Sequence, residues 1–330
     1  MPALRLTFAC GDYDRTRALE EGVVRPSGIE LNFLRLPVEE TFFRMLRHRE
    51  FDVAEMSFSS YVASLCQASP PFVALPVYTS RMFRHGGIFV HRDAGIGRPE
   101  DLVGKTVGSP EYQLSACVWI RGILEEHHGV PVPSVRYRTG GQETPGRIEK
   151  AALDLPDDIE VQRIGPDQTL SALLAEGEIA AIYSPRIPSP FLRGDERVRR
   201  LFPDVIEAES AYHAQTGIFP IMHVVVLRRE LYEEHRWVAQ SLTKAFEEAR
   251  KLALQRFEDS SALPFTLPWM TLQFEEARRR LGHDFWSYGL DSNRADLEAF
   301  LRYHHRQGLS SRQVAPEELF APESLESFVI

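Results

Sequence analysis

Short apolar runs alternate along the chain with stretches in which apolar residues recur every three or four positions. In the first part of the chain, the apolar runs predict four strands, at LRLTFA, GIELNFLRL, FDVAEMS and FVALPVY. Helical spacing lies between them, at residues 14–21, 38–48 and 59–67. Strands that alternate with helices in this way predict parallel sheets covered by helices on both faces.

The same alternation continues through the middle of the chain. Strands are predicted at GIFVHR, KTVGS, VRYR, EVQRI and IAAIYS, and helices at QLSACVWIRGILEEHHG and DQTLSALLAEG. Asp167 is the predicted N-cap of the second of these helices. A long apolar run, TGIFPIMHVVVL, follows, and a strongly helical pattern then extends from Arg229 to about Glu258. RADLEAFLRYHHRQGL predicts a further helix near the end.

Two segments share one plan, LRHREFDVAEMS from Leu46 and LAEGEIAAIYS from Leu174. Each ends a helix, turns through a polar stretch that contains glutamate, continues as a short apolar strand and stops at serine. This echo predicts two similar α/β lobes, although a likeness this short also arises by chance. Ligands of open α/β sheets bind beyond the carboxyl ends of the strands. We therefore expect SFSSY and YSPR to face each other across one cleft.

Composition and charge exclude several classes of protein. Of the 330 residues, 43 % are hydrophobic and 26 % charged, which is typical of globular proteins. The net charge of -9 argues against a nucleic-acid surface. The 3 cysteines form no CxxC pair, which fits a reducing compartment. The sequence shows neither a secretory signal pattern nor the roughly 18 apolar residues of a membrane helix, so we expect a cytoplasmic protein without membrane partners.

A series of motifs carries a resemblance to a known family. These motifs are GDYDRTRAL, EMSFSSY, SRMFRH, GIGRPEDLVGKTVGSPEY, GEIAAIYSPR and TGIFPIMH, with LPW, WSYG and NR later in the chain. In this order they resemble the 4,5-dihydroxyphthalate decarboxylase family, over residues 4 to 320. The resemblance implies a two-lobed α/β fold like that of type II periplasmic solute-binding proteins, with a ligand cleft between the lobes. It also implies a lyase of aromatic catabolism, acting in phthalate degradation.

The resemblance implies both the boundaries of the lobes and the reaction that the protein catalyses. The chain would leave the first lobe at RHGGIFV, build the second and return at TGIFPIMH, so that residues 1–85 and 215–330 form lobe 1 and residues 86–214 form lobe 2. The implied activity removes one carboxylate from a hydroxylated aromatic dicarboxylate such as 4,5-dihydroxyphthalate, giving protocatechuate and CO2. The alternative is a cytoplasmic solute-binding protein that closes on a small aromatic acid without chemistry, since fold alone does not decide function.

Three basic groups in SRMFRH are candidates for holding the substrate's carboxylates. If the motif lies at the first crossing, then Arg81, Arg84 and His85 line the cleft floor, where arginine forks can bind carboxylates bidentately. Either arginine could instead point to solvent or pair with an acid. Arg186, in YSPR, would clamp the ligand from the other lobe, or form a salt bridge between the lobes.

Proton transfer requires a group that titrates near neutral pH, and histidine is the usual one. We assign this role to His85 or His223, with Glu143 in TGGQE as a further candidate. A histidine in a run as apolar as TGIFPIMH can also be a buried structural residue, and TGGQE can be a surface loop. Both alternatives stay open at this stage.

Other polar residues at predicted strand ends are candidates for substrate binding. Tyr13 could stack on the ring or donate a phenol hydrogen bond, whereas Asp14 is expected to cap the helix from Arg15. Ser57 and Ser59, at a helix start, could bind an anion or cap the helix.

The GKTVGSPEY segment echoes a phosphate loop, but Pro99 replaces the glycine that such a loop needs, which excludes a nucleotide site. Its Ser109 and Tyr112 are expected to meet the ligand instead.

No organic cofactor is predicted, because the sequence has no dinucleotide fingerprint and no lysine in a pyridoxal-phosphate context. Metal ligands are unknown. The histidine pairs at 127–128 and 304–305 are adjacent, so on a helix their side chains diverge by about 100°. A catechol-like substrate could itself help to bind a divalent ion, so metal dependence is left open. The expected partner is a small aromatic acid, and homo-oligomerisation is left open.

Overall fold

The computed structural model describes residues 2–150, 152–262 and 265–325. These residues form two compact units. Unit 1 comprises the described parts of Met1–Arg81, Thr216–Glu298 and Val314–Ile330, and unit 2 comprises Met82–Gln215 and Ala299–Gln313.

Unit 1 contains a five-stranded sheet. Its strands are β1 (Leu4–Cys10), β2 (Ile29–Arg35), β3 (Val53–Ser57), β4 (Phe72–Arg81) and, from much later in the chain, β11 (Ile221–Arg228). They lie in the order β2-β1-β3-β11-β4, in which β1 is parallel to β2 and β3, and β11 is antiparallel to β3 and β4. All five residues of β3 are buried, which is the burial expected of a strand covered on both faces.

Helices cover this sheet. They are α1 (Asp14–Glu20), α2 (Val38–His48), α3 (Phe58–Leu65), α8 (Arg229–Glu234), α9 (Trp237–Arg256) and α10 (Met270–Leu281). α9 packs on α1 through a buried stripe with helical spacing, formed by Val238, Leu242, Ala245, Phe246, Ala249 and Ala253. Short 3-10 turns lie at Asp291–Asn293, Pro316–Glu318 and Pro322–Ser324.

Unit 2 contains a six-stranded sheet. Its strands are β5 (Ile88–His91), β6 (Thr106–Ser109), β7 (Arg136–Thr139), β8 (Val161–Arg163), β9 (Ala181–Tyr183) and β10 (Val198–Arg200). Their order is β10-β5-β9-β6-β7-β8, and β5 is antiparallel to β9 and β10 while the other pairs are parallel. The helices are α4 (Ser115–His128), α5 (Leu170–Glu176), α6 (Ser189–Leu192) and α7 (Val205–Thr216). Further 3-10 turns lie at His85–Gly87, Arg92–Ala94, Pro99–Leu102 and Val132–Ser134.

The strands and helices predicted from the hydrophobic pattern are present within a few residues of their expected ends, except that the segment from Arg229 to Glu258 forms two helices. The two halves of the internal echo each form a helix followed by a strand, α2–β3 in unit 1 and α5–β9 in unit 2, and each strand is parallel to one neighbour and antiparallel to the other. The short strand β10 and the helices α6 and α7 were not anticipated, because their apolar spacing is weak or interrupted by charge.

Three local expectations were wrong. The N-cap of α5 is Thr169, whose hydroxyl accepts from the Ala172 N–H, and not Asp167. Asp14 is the first residue of α1 and not its cap, and its carboxylate accepts from the N–H of Arg15 instead. The long helix expected from Arg229 is two helices, α8 and α9, because the chain leaves the helical conformation at His235.

Residues 299–313, which the predicted boundaries gave to lobe 1, pack in unit 2. They are the last part of α11 (Arg294–Arg306) and the turn after it. The ring of Tyr303 lies so close to Gly122 of α4 that a Cβ there would be 2.1 Å away. The buried guanidinium of Arg121 donates to Gln307 Oε1 at 2.8 Å. These contacts join residues far apart in the sequence, so no local sequence pattern predicts them.

No helix in the described part of the chain combines the length and the apolar character needed to cross a membrane.

Candidate functional site

A buried glutamate and a histidine meet on one face of the sheet of unit 1. Glu55 of β3 pairs with Val225 of β11, and two residues further along β3, Ser57 pairs with His223. Residues two apart on a strand point to the same face, so this register makes Glu55 and His223 diagonal neighbours. The pair exists because β11 returns between β3 and β4 in antiparallel orientation.

The carboxylate of Glu55 is the centre of a dense set of hydrogen bonds. Oε1 lies 2.7 Å from His223 Nδ1, and it accepts from the Tyr13 hydroxyl at 2.7 Å and from the Thr79 hydroxyl at 3.0 Å. Oε2 accepts from the N–H of Gly11 at 2.9 Å. Every one of these donors belongs to unit 1, at the carboxyl ends of β1 and β4 or on β11.

Charge and burial act in opposite directions on Glu55. Burial raises the pKa of its carboxyl, but the neighbouring His223 and the hydrogen bonds from Gly11 and Tyr13 outweigh this, so the pKa is lowered overall. The carboxylate is therefore ionised at neutral pH. Burial and the negative charge of Glu55 raise the pKa of the nearby Cys10 thiol, which keeps this cysteine protonated and argues against a role as nucleophile.

Glu55 and His223 differ in their exposure to solvent, and this difference decides which of them can contact a substrate. The side chain of Glu55 is 0 % exposed, whereas that of His223 is 19 % exposed. The carboxylate accepts, so Nδ1 of His223 carries a proton and Nε2 is the nitrogen left to exchange one. The ring of Phe42 holds the imidazole edge to face, at 4.8 Å between centroids. Only the histidine of this pair can reach a molecule outside the core.

A second layer of contacts fixes the donors to Glu55. The guanidinium of Arg15 lies over the rings of Tyr13 and Trp286, at 4.1 Å and 4.4 Å, and donates from Nε to the Thr79 carbonyl at 2.7 Å. Gly11 is required at its position because a Cβ there would lie 2.9 Å from Val38 Cγ1 and 3.0 Å from the Tyr13 ring. Arg15 and Gly11 therefore keep the Tyr13 ring in the position from which its hydroxyl reaches the Glu55 carboxylate.

Arg81 lies at the end of β4, buried in unit 1. Its guanidinium donates to the carbonyls of Phe219 and Ser287 at 2.9 Å and 3.1 Å and to the Asn293 side chain, and it lies 3.5 Å from the Asp296 carboxylate. These contacts tie the start of the returning segment to the region before α11. They are structural contacts, and the substrate-binding role of Arg81 stays a prediction.

Arg84 and His85 lie in unit 2, and both are buried. The His85 ring packs against Phe202, Tyr212 and His128, at centroid distances of 5.1, 5.3 and 6.3 Å. Burial lowers the pKa of His85 to about 4 and that of Arg84 to about 10. A histidine that stays neutral inside an aromatic cluster is a poor proton carrier at neutral pH, so this geometry favours His223 of the two candidates.

Two further predicted residues of unit 2 differ in environment. The carboxylate of Glu143 accepts from the Ser171 hydroxyl at 2.6 Å and from the Ser189 N–H at 3.0 Å, which joins the starts of α5 and α6. Burial raises its pKa, but these hydrogen bonds lower it overall. Arg186 is exposed, just beyond β9, and its backbone N–H is held by the Ser184 hydroxyl at 2.9 Å.

The predicted hydroxyl ligands are buried. Ser57 ends β3, two residues after Glu55, and Ser59 lies in the first turn of α3. In unit 2, Ser109 donates to the Glu111 carbonyl at 2.8 Å and Tyr112 donates to the Gln307 carbonyl at 3.2 Å. The last two hydroxyls thus have internal partners, and ligand binding by all four residues stays a prediction.

Of the predicted residues, the structure brings together Tyr13 and His223, and it adds Glu55, which the sequence analysis missed. The available signal was the position of Glu55, a carboxylate in the middle of the apolar strand VAEMS. A charge at such a position is rare unless it is paired, so it predicts a partner from elsewhere in the fold. Among residues 2–150, 152–262 and 265–325, no group of three or more histidine, cysteine, aspartate and glutamate side chains is placed to hold a metal ion.

The chain is similar over its full length to a characterised enzyme. It is 44 % identical over 330 residues to the 4,5-dihydroxyphthalate decarboxylase of Comamonas testosteroni, covering 100 % of both chains. It is 42 % identical over 213 residues to the 4,5-dihydroxyphthalate decarboxylase of Pseudomonas putida, covering 64 % of this chain and 83 % of that protein. No family model matches the chain.

A solved structure with a similar fold identifies the architecture of this chain. A periplasmic sulfonate-binding protein of Methylobacillus flagellatus superposes with a TM-score of 0.56 at 12 % identity, covering 98 % of this chain and 93 % of that protein. Identity this low shows the fold alone. It confirms the predicted α/β architecture of the type II periplasmic-binding-protein kind. Taken with the full-length relative, these similarities show that the chain belongs to the 4,5-dihydroxyphthalate decarboxylase family.

Proposed function

We propose that the protein is a carboxy-lyase that removes one carboxylate from 4,5-dihydroxyphthalate or a close analogue, giving protocatechuate and CO2. The relative that is 44 % identical over the full chain carries the name of this activity. The observation that carries the proposal in the molecule itself is the Glu55–His223 pair, in which His223 Nδ1 lies 2.7 Å from the buried carboxylate. This pair supplies what the reaction requires, a positioned proton donor.

The chemistry of the substrate defines what the protein must do. Each hydroxyl of 4,5-dihydroxyphthalate is para to one carboxylate, so electron density from the oxygen reaches the ring carbon that bears that carboxylate. Protonation of this carbon, followed by cleavage of its bond to the carboxylate, releases CO2 and restores aromaticity. One proton is consumed and no oxidant or reductant is needed, because the ring itself holds the electrons.

His223 is the proton donor in this proposal. The ionised Glu55 accepts from Nδ1 and orients the imidazole, while Nε2 delivers the proton to the ring carbon. Tyr13 and Thr79, both bonded to Glu55, keep the carboxylate from rotating away. A donor that is already in place lowers the barrier, because the site does not have to reorganise during the reaction.

The retained carboxylate needs a cationic partner, and we propose Arg186 as the first candidate. It is the most exposed of the three predicted arginines, whereas Arg81 and Arg84 are 6 % exposed each. A guanidinium presents a planar fork of donors that matches the geometry of a carboxylate.

We also propose that the protein works in the cytoplasm. The support is its three free cysteines, Cys10, Cys66 and Cys117. Dependence on a divalent metal and assembly into oligomers are decided by the assays below and by the mass of the protein in solution.

The test is turnover of 4,5-dihydroxyphthalate by the purified protein, with and without divalent metal, measured by CO2 release and protocatechuate formation. His223→Asn is expected to lower kcat by about 10²- to 10⁴-fold, the usual contribution of a general acid. The matched control is His235→Asn, which removes a histidine that lies 3.6 Å from Glu234 at the surface of the same unit, and it should keep full activity.

Two results would reject parts of the proposal. A rise in melting temperature with the substrate but no CO2 would indicate a protein that binds an aromatic acid without decarboxylating it. Full turnover by His223→Asn would leave the reaction in place and reject this histidine as the proton donor.

A further inference from the structure

Unit 1 contains a second feature that the proposed reaction does not use, an apolar cavity of about 310 Å³ between α1, α9, α10 and the segment before α11. Ligand-binding pockets usually enclose about 300–1,000 Å³. The larger apolar residues of the lining include Leu254, Phe257, Met270, Phe274, Phe285 and Trp286. All lining residues belong to unit 1.

The lining is unusually rich in aromatic rings, and these rings already contact one another. Phe257 stacks on Phe274 with 5.3 Å between centroids, and Phe274 meets Phe285 edge to face at 6.1 Å. Aromatic walls in offset and edge-to-face arrangements favour a further ring over an aliphatic chain, because ring pairs attract each other beyond what their buried area contributes. The lining therefore indicates an aromatic ligand.

Charges at the edge of the cavity indicate that this ligand is neutral. Arg15 lies 3.1 Å from Asp14. Arg250 lies 2.7 Å from Glu247 and also pairs with Asp284. The charged residues of the lining are Asp14, Arg15 and Arg250, and both arginines are thus already paired with carboxylates, which disfavours their binding a further anion. A dianion such as 4,5-dihydroxyphthalate does not fit this electrostatic environment.

We propose that this cavity is a binding site for a neutral aromatic molecule of one ring, separate from the Glu55–His223 pair. The two sites share only the Arg15–Trp286 contact in their walls. The cavity lies open enough to admit a ligand beside Leu267, which is 53 % exposed. Apolar cavities of this kind bind small aromatic compounds without any polar partner.

The test uses the full chain and 4-fluorotoluene, a neutral single ring whose fluorine signal reports binding by NMR titration. Saturable binding is expected, with an affinity at least tenfold higher than that for 4-fluorobenzoate. Ala253→Phe fills the cavity from α9, where Ala253 is buried in the lining, and should weaken binding at least tenfold.

A second variant keeps the test valid if Ala253→Phe does not fold. Gln273→Trp places a large ring at the exposed edge of the lining, on α10, and should also weaken binding. Glu275→Trp is the matched control, because it adds the same ring to the same helix at an exposed position outside the lining and should leave binding intact. His223→Asn should also bind like the original protein.

Absence of saturable binding to the original protein would overturn the proposal, as would unchanged binding to both filled variants. Tighter binding of 4-fluorobenzoate would overturn the neutral class. Loss of binding in His223→Asn would show that the ring occupies the Glu55–His223 site instead. None of these results depends on decarboxylase activity.

Discussion

Acid should destabilise the protein through His85, and replacing this histidine should remove that effect. His85 is 3 % exposed, and its ring packs among Phe202, Tyr212 and His128. Its Nδ1 is a buried nitrogen with no hydrogen-bond partner among the described residues. A charged imidazolium at this position would be desolvated and unpaired. His85→Phe keeps the ring contacts and removes the titrating group.

The size of the effect follows from the two pKa values. An unfolded chain gives histidine a pKa of about 6.5, and burial lowers that of folded His85 to about 4. Between these values the unfolded chain binds a proton that the folded chain does not, so acid favours unfolding. The stabilisation is complete above about pH 6.5 and is lost as the pH falls towards 4, about 3 kcal/mol in total and about 2 kcal/mol of it by pH 5.

The assay is urea unfolding of both proteins at pH 7 and pH 5, followed by circular dichroism. His127 and His128 lie nearby and are present in both proteins, so the difference between the two pH dependences isolates His85. The original protein should lose about 2 kcal/mol more than His85→Phe over this interval. Equal losses would refute the reasoning. His85→Phe should also keep kcat within a few-fold, whereas a catalytic His85 would make this variant inactive.

Three further changes test the contacts around the site. Arg81→Ala should lower the free energy of unfolding by about 3–5 kcal/mol, because it leaves the Asp296 carboxylate buried without its cation, and a calorimetric scan would detect this; a normal transition with a raised KM would instead support substrate binding. Arg15→Met should lower kcat more than it changes KM, since the Tyr13 and Thr79 contacts loosen, and restoration of kcat by Arg15→Lys would show that charge alone suffices. Gly11→Ala should likewise lower kcat, because its Cβ would displace the Tyr13 ring, and an unchanged kcat would show that this position of the ring is not needed.

The sequence pattern predicts the architecture well because the signal for it is local. The spacing of apolar residues that predicts a strand or a helix is a property of neighbouring residues. The strands of both sheets lie in the segments where this spacing predicts strands. The lobe to which residues 299–313 belong could not be predicted, since it depends on contacts such as Arg121 with Gln307, which are 186 residues apart.

The roles of Arg81 and Glu55 could not be predicted for the same reason, because they depend on partners that are distant in the sequence. Arg81 was expected to face a ligand because arginine suits carboxylates, and no pattern in the sequence indicated its hydrogen bonds to the carbonyls of residues 219 and 287. Glu55 was missed because its meaning depends on His223, which lies 168 positions away. Residue type predicts which chemistry a side chain can perform, whereas the partner that decides its role is set by the tertiary fold.

The central claim is that Glu55 and His223 act as one unit. The most direct test is a double-mutant cycle on kcat for 4,5-dihydroxyphthalate, using Glu55→Gln, His223→Asn and the double variant. If the carboxylate acts only through the histidine, the double variant should be no slower than His223→Asn alone, because removal of the histidine already abolishes what Glu55 contributes. Losses that multiply in the double variant would contradict the account, since they would show that the two residues act independently.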